Sequence, residues 1–131
     1  MKKGLLLTAL FVMGLIVMAG CSKPTPQEVA MKSAQLFKEG DYKGFVNSFS
    51  RMSNSDKSQA AGFFEEKGKA LVAEKGPITQ CVLAGSKIDE KAGTGTVQIN
   101  LIYQKGDTIP INYEVFKEKG EWKISQLVNN E

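Results

Sequence analysis

The sequence predicts an α+β fold in which three N-terminal helices pack on a four-stranded antiparallel sheet. Apolar residues recur at three- and four-residue spacing from Val29 to Leu71, as one face of a helix requires. From Ile78 onward the period drops to two, as in half-buried strands. Between the two regimes stands Lys75-Gly76-Pro77, a basic last turn followed by a glycine and a proline that stop a helix. Helices and strands segregated in this way give an α+β domain with the helices on one face of the sheet.

In the first helix, Thr25 is the N-cap, Pro26 takes the first helical position and Glu28 lies in the first turn. Val29, Ala30, Ser33, Leu36 and Phe37 share one stripe, and the helix ends at Gly40. Asp41 caps a short second helix carrying Tyr42, Phe45, Val46 and Phe49 inward, with Ser50 to Ser55 as its exit. The third helix begins near Ser55-Asp56 and runs to Glu74 or Lys75, with Ala60, Phe63, Phe64, Ala70 and Leu71 as its stripe. Gly62 and Gly68 each lower its intrinsic propensity by up to about 1 kcal/mol, so packing must hold it.

The strands are predicted at 78–89, 94–104, 108–117 and 121–129. A three-residue Lys105-Gly106-Asp107 loop would set Tyr103 beside Ile109, Leu101 beside Ile111 and Ile99 beside Tyr113. A two-residue Lys119-Gly120 turn would set Val115 beside Ile124 and Tyr113 beside Gln126.

The chain begins with Met1-Lys2-Lys3, followed by an uncharged run from Gly4 to Gly20. Basic, apolar and then small residues are the layout of a secretory signal peptide. Met18-Ala19-Gly20-Cys21 resembles the lipobox of bacterial lipoproteins, with Met18 where leucine is usual. The resemblance implies cleavage between Gly20 and Cys21 and a diacylglyceryl thioether on Cys21. An uncleaved membrane helix is the alternative, at the short end of the roughly 17–25 residues that span a bilayer. The implied organisation is a signal peptide at 1–20, a lipidated, proline-stiffened tether at 21–26 and one domain at 27–131. Ser22, in place of Asp, resembles the outer-membrane sorting pattern. The implied site is therefore the cell envelope, on the outer membrane facing the periplasm where two membranes exist.

Composition excludes more than it assigns. The net charge of +3 includes Lys2 and Lys3, and the remaining charges are nearly balanced and interspersed, so no nucleic-acid partner is expected. The absence of histidine excludes Ser-His and Cys-His dyads and histidine-containing metal sites. No metal and no cofactor is expected. With Cys21 lipidated, Cys81 stands alone in the apolar stretch Ile78 to Leu83 and reads as a small buried hydrophobe more readily than as a reactive thiol.

Glu39-Gly40-Asp41-Tyr42, Gly95-Thr96-Val97 and Lys119-Gly120-Glu121-Trp122-Lys123-Ile124 resemble a family of small bacterial lipoproteins of unknown function. That family has a cystatin-like, or nuclear-transport-factor-two-like, cone fold. The resemblance covers Gln27 to Val128 and implies the cone, whose pocket lies between helices and inner sheet face. It supplies no catalytic residue.

Three polar groups are predicted on that inner face, the hydroxyls of Tyr103 and Tyr113 and the amide of Gln126. They would either line a cavity for a small apolar ligand or close on one another in a filled core. Acidic residues fall at strand ends, in turns or on the outer face, so no base for catalysis is expected and the protein reads as a non-enzyme. On the outer face Ile102 would lie opposite Pro110 with Leu127 diagonal, one apolar patch for an envelope protein partner or a second copy. The sequence thus predicts a membrane-anchored, non-enzymatic binding or interaction module. A pocket protein for small molecules is the alternative, and a cone-fold isomerase or hydrolase a more distant one.

Overall fold

Thr25 opens the first helix with a reciprocal cap. Its hydroxyl accepts from the Glu28 amide at 3.1 Å, and its own amide donates to the Glu28 carboxylate at 3.0 Å. The computed structural model describes residues 23–128. The predicted signal peptide with Gly20, the lipobox residue Cys21, and Asn129, the final residue of the last predicted strand, lie outside that range.

Helix α1 (Pro26–Lys38) buries Ala30, Ser33 and Phe37 of its predicted stripe and Ala34 beside them, while Val29 and Leu36, predicted on the same stripe, are half-buried on its margin. Helix α2 (Tyr42–Asn47) is capped by Asp41, whose carboxylate accepts from the Gly44 amide at 2.9 Å. Helix α3 (Asn54–Lys75) starts about one residue earlier than expected, because the cap is Ser53 accepting from the Asp56 amide. It rests chiefly on α2, and α1 alone spans all four strands. The Tyr42 ring lies directly across Gly68, so that a methyl group there would collide with it. This close approach explains a glycine in the middle of a 22-residue helix.

The strands β1 (Ile78–Asp89), β2 (Thr94–Tyr103), β3 (Thr108–Glu118) and β4 (Glu121–Leu127) form one antiparallel sheet in chain order. The core lies between α1, α2 and the inner sheet face. Phe45, Val46, Phe49, Val97, Ile99, Leu101, Tyr103, Tyr113, Val115 and Ile124 are all buried there. Beyond α2 the chain folds around the β4 edge. Ser50 donates to the Ile124 carbonyl from both its amide, at 2.9 Å, and its hydroxyl, at 3.1 Å. The Arg51 guanidinium then stacks 3.7 Å from the centre of the Phe116 ring.

Two registers differ from expectation. In the β2–β3 hairpin, Leu101 faces Ile109, Ile99 faces Ile111 and Val97 faces Tyr113, a slip of two residues that keeps every side chain on its predicted face. The loop has three residues but they are Gln104-Lys105-Gly106. Tyr103 donates its amide to the Asp107 carbonyl and Gly106 donates to the Tyr103 carbonyl. Gly106 has φ +98°, so it must occupy the last, left-handed position of such a loop rather than its middle. In the β3–β4 hairpin the Lys119-Gly120 turn and the Val115–Ile124 pair are as predicted. A bulge at Ser125 then sets Leu127, not Gln126, opposite Tyr113.

Candidate functional site

The predicted inner-face trio does not assemble. Tyr103 and Tyr113 are buried, at 1% and 0% exposure, but Gln126 is turned by the bulge to the outer face, where its amide donates to Glu114 at 2.9 Å. Ser125 shares that carboxylate at 3.0 Å. The Tyr103 and Tyr113 hydroxyls have no hydrogen-bond partner among the described residues. Burial is the main cause that pushes both phenols above their ordinary range. For Tyr113 the nearby Ser33 hydroxyl tempers the rise without closing a bond of good geometry, and Cys81 adds to it.

A pH dependence follows. Above pH 10, where a phenol in the unfolded chain ionises, Tyr113 keeps its proton in the folded protein. The folded state then binds more protons than the unfolded state, and stability falls as pH rises, by up to about 1.4 kcal/mol per pH unit for this one group. Tyr113→Phe is expected to flatten that decline and, by removing an unpaired hydroxyl, to raise stability at pH 7 by about 1 kcal/mol. Urea denaturation at pH 7, 9 and 11 checks both effects.

The predicted outer patch loses its predicted pairing and one of its members. Ile102 lies opposite Thr108, and Pro110 opposite Asn100. Leu127 packs inward against the core. Cys81 behaves as a packing residue: it is half-buried, its thiol points to the Ala34 carbonyl at 3.7 Å, and desolvation raises its pKa, with Lys38 offsetting part of the rise. Glu65 pairs with Lys69 at 2.8 Å as an ordinary helix-surface pair. Among the described residues no three acidic or sulfur ligands converge on a point where a metal could bind.

The structure presents a site that the spacing did not reveal. A groove of about 570 Å³ runs between α1, the segment after α2 and β4. Its walls are Val29 and Leu36 from α1 and Trp122 and Ile124 from β4, with Pro24 at one end. Ser33 and Ser48 also line it, their hydroxyls 2.8 Å apart. Ser48 donates its proton to the Phe45 carbonyl, so Ser33 is the donor within the pair. Three charged residues flank the groove: Glu28, Lys32 and Lys123. This volume lies within the roughly 300–1,000 Å³ of small-molecule sites, and apolar walls with a few polar groups are their usual lining.

No protein-family model matches the chain, and no curated protein matches it. A solved structure from Campylobacter jejuni, described as a candidate NTF2-like transpeptidase, superposes with a TM-score of 0.62 at 12% identity, over 77% of this chain and 97% of that one. A SEC-C motif containing protein from Rhodopseudomonas palustris superposes with a TM-score of 0.55 at 14% identity, over 87% of this chain and 86% of that one. The fold is the NTF2-like cone. At such identities the likeness is one of architecture alone, and an NTF2-like cone serves binding modules and enzymes alike. In this cone Tyr103, Tyr113 and Leu127 fill the inner sheet face, and the groove opens on the flank of α1 instead.

Proposed function

We propose that this protein is a lipid-anchored, non-enzymatic binding module of the bacterial cell envelope, with the α1–β4 groove as its ligand site. The observation that carries this reading is the apolar groove beside the tether, with Pro24 in its wall three residues after the lipobox cysteine. Two or more acyl chains on Cys21, at about 0.8 kcal/mol per buried methylene, would hold the body stably at a bilayer. Localisation follows the same reading: the outer membrane facing the periplasm where two membranes exist.

The test is metabolic labelling of cells with palmitate. The natural chain and a Cys81→Ser variant are expected to carry label and sediment with membranes. Cys21→Ser is expected to lose both label and membrane attachment. Equal labelling of the natural chain and Cys21→Ser, or none in either, would overturn the reading.

A further inference from the structure

The groove reaches the start of the described chain at Pro24. Pro24 follows Cys21 by three residue steps, a span of at most about 11 Å. Lys23 pairs with Glu121 at 3.9 Å, which places the tether beside the β3–β4 turn. The Lys117 amide donates to the Gly93 carbonyl, so the β1–β2 turn lies at the same end. Exposed Lys91 and Lys119 project from these two turns. With Cys21 lipidated, as in the reading above on which this inference rests, the groove lies beside a bilayer surface.

The charges around the groove point to one kind of occupant. The Glu28 carboxylate is turned back onto the Thr25 amide, and the Lys123 ammonium is held by Glu118 at 3.2 Å. Lys32 is exposed and makes no ion pair among the described residues. The flank therefore offers an apolar trough with an unengaged cation beside it. We propose that the groove takes the acyl chain of an anionic single-chain amphiphile drawn from the anchoring bilayer, with its headgroup on Lys32. The chain would lie along Val29, Leu36 and Trp122, and the lysine would supply a charge-assisted hydrogen bond to the phosphate or carboxylate.

Trp122 is the only tryptophan in the chain and forms part of the groove wall, so its fluorescence reports occupancy directly. The full lipidated protein in phosphatidylcholine nanodiscs is titrated with dibromostearoyl lysophosphatidylglycerol and, separately, with the phosphatidylcholine lysolipid bearing the same chain. Saturable quenching is expected, with the anionic lipid binding more tightly. Lys32→Glu should weaken the anionic lipid roughly tenfold, the ratio expected for one charged contact, and leave the zwitterionic one unchanged. Val29→Glu should abolish saturable quenching by both. Should Val29→Glu lose its circular dichroism signal, Lys32→Glu decides alone. Quenching that rises linearly with lipid content and ignores both substitutions would show Trp122 meeting lipid outside the groove and would overturn the proposal. Equal affinity for the two headgroups would do the same. Failure of the anchoring reading is distinguishable, since the protein would then leave the discs before any lysolipid is added.

Discussion

Phe45→Ala is expected to destabilise the protein by about 3–5 kcal/mol, a large share of the roughly 5–15 kcal/mol that holds a domain of this size together. The ring is 1% exposed and sits where the three helices meet. Its centroid lies 5.0 Å from Phe37 of α1, 5.2 Å from Phe49 after α2 and 5.1 Å from Phe64 of α3, the last two edge-on. Such pairs add roughly 0.5–1.5 kcal/mol each beyond the area they bury. α2 has only six residues and could not persist alone, since isolated helices shorter than about 12–15 residues are marginal. α3 depends on it in turn, because Gly68 is its one buried residue and α2 is its chief neighbour. Urea denaturation measures the total loss. Native-state hydrogen exchange should show α3 losing protection before the sheet does, because the variant cuts the helix from its support and leaves the strand ladder intact. A loss under 1 kcal/mol would mean that Phe45 is not the junction.

Much of this scaffold is legible in the residues. Thr25, Asp41 and the Gly76-Pro77 stop mark helix ends because each supplies or withholds a particular backbone hydrogen bond, a local fact that needs no tertiary context. Parity along the strands is legible for the same kind of reason, as the pleat sends alternate residues to opposite faces. Register needed more. Gly106 takes a left-handed conformation, and its place at the third loop position rather than the second decides the pairing of the whole β2–β3 hairpin. The bulge at Ser125 has no comparable mark, since a serine carries no signature of an inserted residue. One such insertion exchanges the faces of Gln126 and Leu127, and with them goes a third of the predicted pocket and a third of the predicted patch.

The groove was hidden for a different physical reason. Val29, Leu36 and Trp122 are apolar and correctly periodic, so they read as core. Whether such a residue is covered or left at the wall of a trough depends on how far the neighbouring element reaches, which periodicity does not encode. Here α3 leans on α2, and α1 is the one helix that crosses all four strands, so its flank toward β4 stays open. The residues of the α1 stripe that face the sheet are buried, and those on its margin, Val29 and Leu36, line the groove.

Trp122→Ala should therefore report on scaffold and groove together. The indole is 8% exposed, belongs to the core and has the Lys117 ammonium 5.7 Å from its ring. Truncation of a buried tryptophan costs about 3–5 kcal/mol, and this variant is expected at the lower end because one edge of the ring already borders the groove rather than packed atoms. Trp122→Phe should recover most of the loss, leaving a deficit below about 1.5 kcal/mol, because an aromatic ring again closes the space between β4 and α1. Thermal or urea unfolding of both variants checks these values. The comparison separates two roles that one side chain combines. If the ring only seals the core, phenylalanine restores stability and ligand affinity in step. If it also forms the wall along which an acyl chain lies, affinity falls in Trp122→Phe by more than the small stability deficit explains, since the shorter ring leaves part of the trough without a contact surface.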